Sequence, residues 1–127
     1  MAQSKSNAVT VSARTQFLPG QSDEAAGRYA FAYTISIVND GTVAAQLVSR
    51  HWIITDARGQ VQEVRGLGVV GAQPLLQPGE RFEYTSGAAI ATPVGTMRGS
   101  YQMLAANGER FEAPIPEFTL AVPRVLH

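Results

Sequence analysis

Hydrophobic and polar residues alternate over most of this chain with a period of two, the pattern of strands that bury one face. From Val9 to Phe17, Val9, Val11, Ala13, Thr15 and Phe17 fall on one side and Thr10, Ser12, Arg14 and Gln16 on the other. Pro19-Gly20 closes this strand, and the polar segment Gln21 to Gly27 reads as a loop. In the next run, Arg28 to Asn39, Tyr29, Phe31, Tyr33, Ile35 and Ile37 share a face, while Ala30, Ala32, Thr34, Ser36 and Val38 share the other. Both faces are largely apolar, which predicts a central strand. Asn39-Asp40-Gly41 supplies a turn, because these residues tolerate positive φ. The strand Gln46 to Thr55 then carries Val48, Trp52 and Ile54 on one side and Leu47, His51 and Ile53 on the other. Asp56-Ala57-Arg58-Gly59 turns it into a hairpin partner, Val61 to Arg65.

Further strands follow at Arg81 to Ser86 and, past a loop containing Ala88 to Gly95, at Thr96 to Leu104, where Met97, Gly99, Tyr101 and Met103 alternate with polar residues. Asn107-Gly108 is a hairpin turn into Arg110 to Ala113, and Phe118 to Val122 forms a last strand after Pro114 and Pro116. Prolines so placed favour sheet edges. Seven or eight strands without a helical period predict an all-β chain, an antiparallel β-sandwich of immunoglobulin or fibronectin type III character. At 127 residues the expectation is a single domain over 1–127 with a polar tail at about residues 1–7.

Composition narrows the partners. Lys+Arg and Asp+Glu are equal at 10 each, so no net field draws in nucleic acid or anionic lipid, and neither is expected as a partner. The absence of cysteine removes disulfides, thiolate catalysis and cysteine-ligated zinc. The polar N-terminal stretch lacks the apolar core of a signal peptide and no run reaches membrane-spanning length, so the expected location is cytoplasmic.

Gly66-Leu67-Gly68-Val69-Val70-Gly71 spells the G-x-G-x-x-G of a dinucleotide fingerprint. That fingerprint works as a turn opening a helix whose N-terminal amides hold a pyrophosphate. Here Pro74 and Pro78 leave three residues between them, and strand-like sequence resumes at Arg81, so no helix fits. The motif therefore reads first as a strand connection whose glycines permit positive φ or close backbone approach. A second reading keeps an anion nest of successive amides at Gly66, Gly68 and Gly71, with charge from Arg65 and a pyrophosphate-containing ligand.

Other chemistry is sparse. His51 and His127 are the two imidazoles, in no ligand spacing with carboxylates; Asp56 and Glu63 are the nearest candidates for a hard-cation site, and no metal or cofactor is expected. Ser49 and Ser86 lack a nucleophile-elbow context, so no catalytic residue is assigned and a non-enzymatic role is expected. Interaction with an unidentified protein through loops or an edge strand is the leading reading. Ile90 and Val94, in the weakly charged stretch Gly87 to Val94, and Val70 in the glycine stretch are the residues expected to form one partner-binding surface.

A series of short blocks carries a family resemblance. Trp52-Ile53-Ile54-Thr55-Asp56, Gln62 through Pro74, Pro78-Gly79-Glu80, Tyr84-Thr85-Ser86-Gly87, Thr92 through Met97, Gly99, Tyr101 and Ala121-Val122-Pro123 resemble bacterial ApaG proteins across nearly the whole chain. The resemblance implies a fibronectin type III-like sandwich, an interaction module of the sort attached to F-box and DNA-polymerase-interacting proteins, and a link to cobalt tolerance and magnesium efflux. The chain departs from the family pattern at Leu67, a position that is commonly acidic there.

Overall fold

The computed structural model describes residues 7–123. His127 and nearly all of the predicted polar tail lie outside the described residues. Eight strands follow in order: β1 Val9–Phe17, β2 Tyr29–Asn39, β3 Ala45–Asp56, β4 Val61–Leu67, β5 Leu75–Leu76, β6 Arg81–Ile90, β7 Val94–Ala105 and β8 Arg110–Ala121. Two single 3-10 turns follow β1, Pro19–Gln21 at the predicted close of the first strand and Glu24–Ala26 within the polar segment Gln21 to Gly27. The strands form two antiparallel sheets, β1-β2-β6 and β4-β3-β7-β8, with β5 pairing β3 beyond the end of β4.

The sheets face one another across the aromatic residues of the sequence pattern. Phe31, Tyr33, Ile35 and Ile37 of the central strand β2 meet Trp52, Met97, Tyr101 and Met103 from the other sheet. Tyr33 stands edge-on to Trp52 with ring centroids 5.3 Å apart, and Phe118 closes on Trp52 at 5.9 Å. Such tilted pairs align ring edges with ring faces, and each adds about 0.5–1.5 kcal/mol beyond the burial of its area.

Two bulges adjust the phase of the pattern. Along β3, Leu47 pairs with Met103 and Ser49 with Gln102, so Val48 is an extra residue. Strict alternation would set Leu47 opposite in face to Trp52. The bulge instead turns both inward, and both are buried. It places Arg50 on the inner face as well, two residues before Trp52. In β8, Met97 pairs with Phe118 but Gly99 with Ile115, so the extra residue falls at Pro116-Glu117. This bulge lets Ile115 and Leu120 both point inward, and it joins into one strand the two segments that Pro114 and Pro116 had divided in the sequence reading. The prolines are accommodated because β8 lies at a sheet edge.

Turn chemistry differs from expectation at Asn39. Neither Asn39 nor Gly41 has positive φ. Asn39 is buried and works through its side chain: Nδ2 donates to the carbonyls of Val43 and Leu76, both at 2.9 Å, and Oδ1 accepts from the Gly41 amide at 2.8 Å. The stretch expected as a loop from Ala88 is mostly strand, since β6 runs to Ile90 and β7 starts at Val94.

Tyr84 and Tyr101 bring their hydroxyls to 2.5 Å of each other across the sandwich. Burial raises the pKa of both above the ordinary tyrosine value, and for Tyr101 the neighbouring Tyr84 adds to the rise. The folded state therefore favours the neutral phenols, while the unfolded chain ionises near pH ~10. Their contribution to stability is complete below about pH 10 and falls as pH rises, with a limiting slope of about 1.4 kcal/mol per pH unit for each tyrosine. Denaturant melts at rising pH should show this loss, and Tyr84→Phe/Tyr101→Phe should flatten it. Equal alkaline slopes in the two proteins would contradict the assignment.

Candidate functional site

The glycine stretch lies where β4 leaves its partner β3 and the chain makes an excursion before returning as β5. Gly66 pairs with Arg50 and Leu67 with Ser49, after which Gly68 donates its amide to the Val48 carbonyl at 2.8 Å. Val69 is buried and anchors the excursion. Val69 and Ala72 then exchange two backbone hydrogen bonds of 2.8 Å around Val70 and Gly71. Gln73 donates from Nε2 to Val48, and the Leu47 amide donates to the Pro74 carbonyl, returning the chain to β3.

Each glycine of the motif has its own local reason. At Gly66 a Cβ would sit 2.8 Å from the Arg50 guanidinium. Arg50 Nη1 reaches past it to donate to the carbonyls of Leu67 and Gly68, both at 2.9 Å. At Gly68, φ is +62° and a Cβ would lie 2.3 Å from the Ala72 carbonyl oxygen. At Gly71, φ is +80°, and together with Val70 at +44° it forms a two-residue turn with both central residues in the left-handed region, the type I′ pattern. A β-branched residue there is strained by about 1–2 kcal/mol. The tip nevertheless carries Val70, which is 60% exposed.

The sequence-predicted site residues divide. Arg65 points to the outer sheet face and pairs with Glu63 at 3.4 Å, away from the turn. The amides of Gly68, Val69 and Ala72 are taken by backbone carbonyls, which leaves few donors for an anion nest. The expectation that Val70, Ile90 and Val94 share a surface is corrected. Ile90 is 4% exposed, because the inner face of β6 directs it into the core beside Gly95. Val94 is exposed, but it lies by the β3–β4 turn, where Asp56 pairs with Gly95. The glycine stretch joins β3 at Ser49, seven residues or ~23 Å away along the strand.

Sequence reasoning missed Arg50. Its signal was Leu47 and Trp52, two large apolar residues out of phase in one strand, which implies a bulge between them. His51, on the outer face, donates from Nε2 to Glu63 Oε2 at 2.6 Å. This bond, with a smaller contribution from Arg65, holds the Glu63 carboxyl below the ordinary range. Asp56 spends Oδ1 on the amides of Arg58 and Gln60, and no cluster of three potential metal ligands occurs among the described residues. No described helix is long and apolar enough to cross a membrane.

Around the turn the surface is apolar. Leu67 is 75% exposed and Leu75 56% exposed, flanking Val70, while Val61 and Val64 are exposed further along β4. In β4 every residue but Gly66 is exposed, and its second edge is unpaired among the described residues.

These features define the class: a two-sheet antiparallel β-sandwich that carries a latched glycine turn on one sheet edge. The chain belongs to the ApaG domain family, whose model (DUF525: ApaG domain) matches residues 19–105. It is 67% identical to Protein ApaG of Thiobacillus denitrificans and 65% identical to Protein ApaG of Nitrosospira multiformis, each over 127 residues that cover both chains completely. A crystal structure from Bordetella pertussis, named there as an ApaA protein, is 58% identical and matches with a TM-score of 0.90 over 94% of this chain and 97% of that one.

If Val70 carries turn strain, Val70→Asn should raise stability by about 1 kcal/mol, since asparagine before glycine suits a type I′ turn. Urea denaturation measures it, and a destabilised variant would contradict the turn assignment.

Proposed function

We propose that this chain is a non-catalytic protein-binding module whose contact surface is the free edge of β4 together with the glycine turn. The observation that carries the reading is Val70: an exposed apolar side chain held at positive φ, where asparagine or glycine would be both less strained and more soluble. Leu67 and Leu75 extend the apolar surface on either side. An unpaired strand edge bearing exposed valines is an aggregation liability that proteins ordinarily blunt, and its retention here favours a partner segment that adds to β4 in extended conformation. Main-chain hydrogen bonds would supply affinity and the apolar tip specificity.

The link to cobalt and magnesium homeostasis that the family resemblance implies is then a property of the partner. Calorimetry with either cation should show no binding above that of a surface control.

The surface makes a positional prediction. In quantitative capture from native lysate, Val70→Asp and Leu67→Asp should each lose at least about tenfold of the specific partner, equal to about 1.4 kcal/mol. Val94→Asp, at the opposite end of β3, should retain it. Retention by all three variants would overturn the reading.

A further inference from the structure

Where the two sheets meet at their free edges, β4 and β6 face each other across a cleft of about 480 Å³. Gln62 bridges the two edges, donating from Nε2 to the Ala89 carbonyl at 3.4 Å. Because Ala89 turns its carbonyl toward β4, the alternation of a strand sends the amide and carbonyl of Gly87 to the same free edge.

Among the described residues the cleft is rich in donors and lined by no carboxylate. Arg28 and Arg50 line it, and neither makes an ion pair among the described residues. Arg50 has only Nη1 committed, to the two carbonyls of the glycine turn, so its guanidinium is held in place with its other N–H groups uncommitted among the described residues. Tyr33 and Ser86, both hydroxyl-bearing, line the cleft as well. So does Trp52, whose indole N–H has no hydrogen-bond partner among the described residues although the residue is 2% exposed. An orphaned buried donor costs on the order of 1–3 kcal/mol, a penalty that an acceptor brought by a ligand relieves. Ile54 and Val64 supply an apolar wall beside the two aromatic rings. The volume suits a small molecule, and the donor set suits an oxyanion, since guanidinium groups recognise carboxylate and phosphate by paired N–H donation.

We infer that this inter-sheet cleft binds a small molecule whose oxyanion, a phosphate monoester or a carboxylate, lies between Arg28 and Arg50 and whose body packs on Tyr33 and Trp52. The site adjoins the β4 edge proposed for protein binding, through Gln62 and Val64, but it uses different groups and does not depend on that role.

Trp52 is the one tryptophan of the chain, so its indole N–H gives a single, assignable NMR signal. The isotope-labelled full chain is titrated with phenyl phosphate in one arm and benzoate in another, against sodium chloride at matched ionic strength. The expected result is a saturable shift of the Trp52 indole signal and the Gly87 amide in at least one arm, absent with chloride. Saturation by phenyl phosphate alone identifies the phosphate class, and by benzoate alone the carboxylate class. Arg28→Gln should weaken the binding at least tenfold with the rest of the spectrum unchanged. Shifts no larger than with chloride, shifts confined to the amides of residues 66–71, or binding unaffected by Arg28→Gln would each overturn the inference.

Discussion

The bulge at Val48 sets the phase of β3, and the glycine turn depends on that phase. With one extra residue in the strand, Leu47 and Trp52 both enter the core, and Arg50 takes the same inner face, half-buried, instead of joining the polar outer face. A guanidinium partly withdrawn from water gains from acceptors held nearby. Arg50 finds them in the carbonyls of Leu67 and Gly68, and the passage to them runs over the Cα of Gly66. The same bulge leaves the Val48 carbonyl open to the Gly68 amide and the Gln73 side chain. The excursion from β4 to β5 is thus fastened at its base by one arginine and one carbonyl, and Val70 is carried at its tip.

Much of the architecture was legible in alternation alone. β1, β2 and the hairpin of β3 with β4 fall within a residue or two of the pattern-derived limits, since each is an alternating run bounded by turn residues. The faces within β3 were not legible, because the bulge breaks the period that the reading relies on. The prolines of β8 suggested two strands for a similar reason: a bulge at Pro116-Glu117 and an edge position make them compatible with one. Small residues around Ile90 weaken the strand signal there, whereas pairing with Tyr29 fixes it on the inner face of β6. For Arg50 the out-of-phase pair Leu47 and Trp52 signals the face but not the role, which arises from contact with residues sixteen to eighteen positions later.

The glycine motif shows how the same letters serve different physics. In a dinucleotide fingerprint the glycines bring a pyrophosphate to a helix N-terminus. Here they admit a guanidinium, a carbonyl and a left-handed turn, and much of the intervening amide capacity is spent within the chain. Leu67 adds to the exposed apolar surface beside Val70.

The latch between Arg50 and Gly66 is most directly tested by a double-mutant cycle on stability with Arg50→Ala and Gly66→Ala. In the native background, Gly66→Ala should be destabilising, because the added methyl displaces the guanidinium from its two carbonyls. In the Arg50→Ala background the same change should cost nothing or stabilise, as alanine ordinarily does over glycine in a strand. The expected coupling is on the order of 1 kcal/mol or more. Additive effects of the two substitutions would show that Arg50 does not hold the turn.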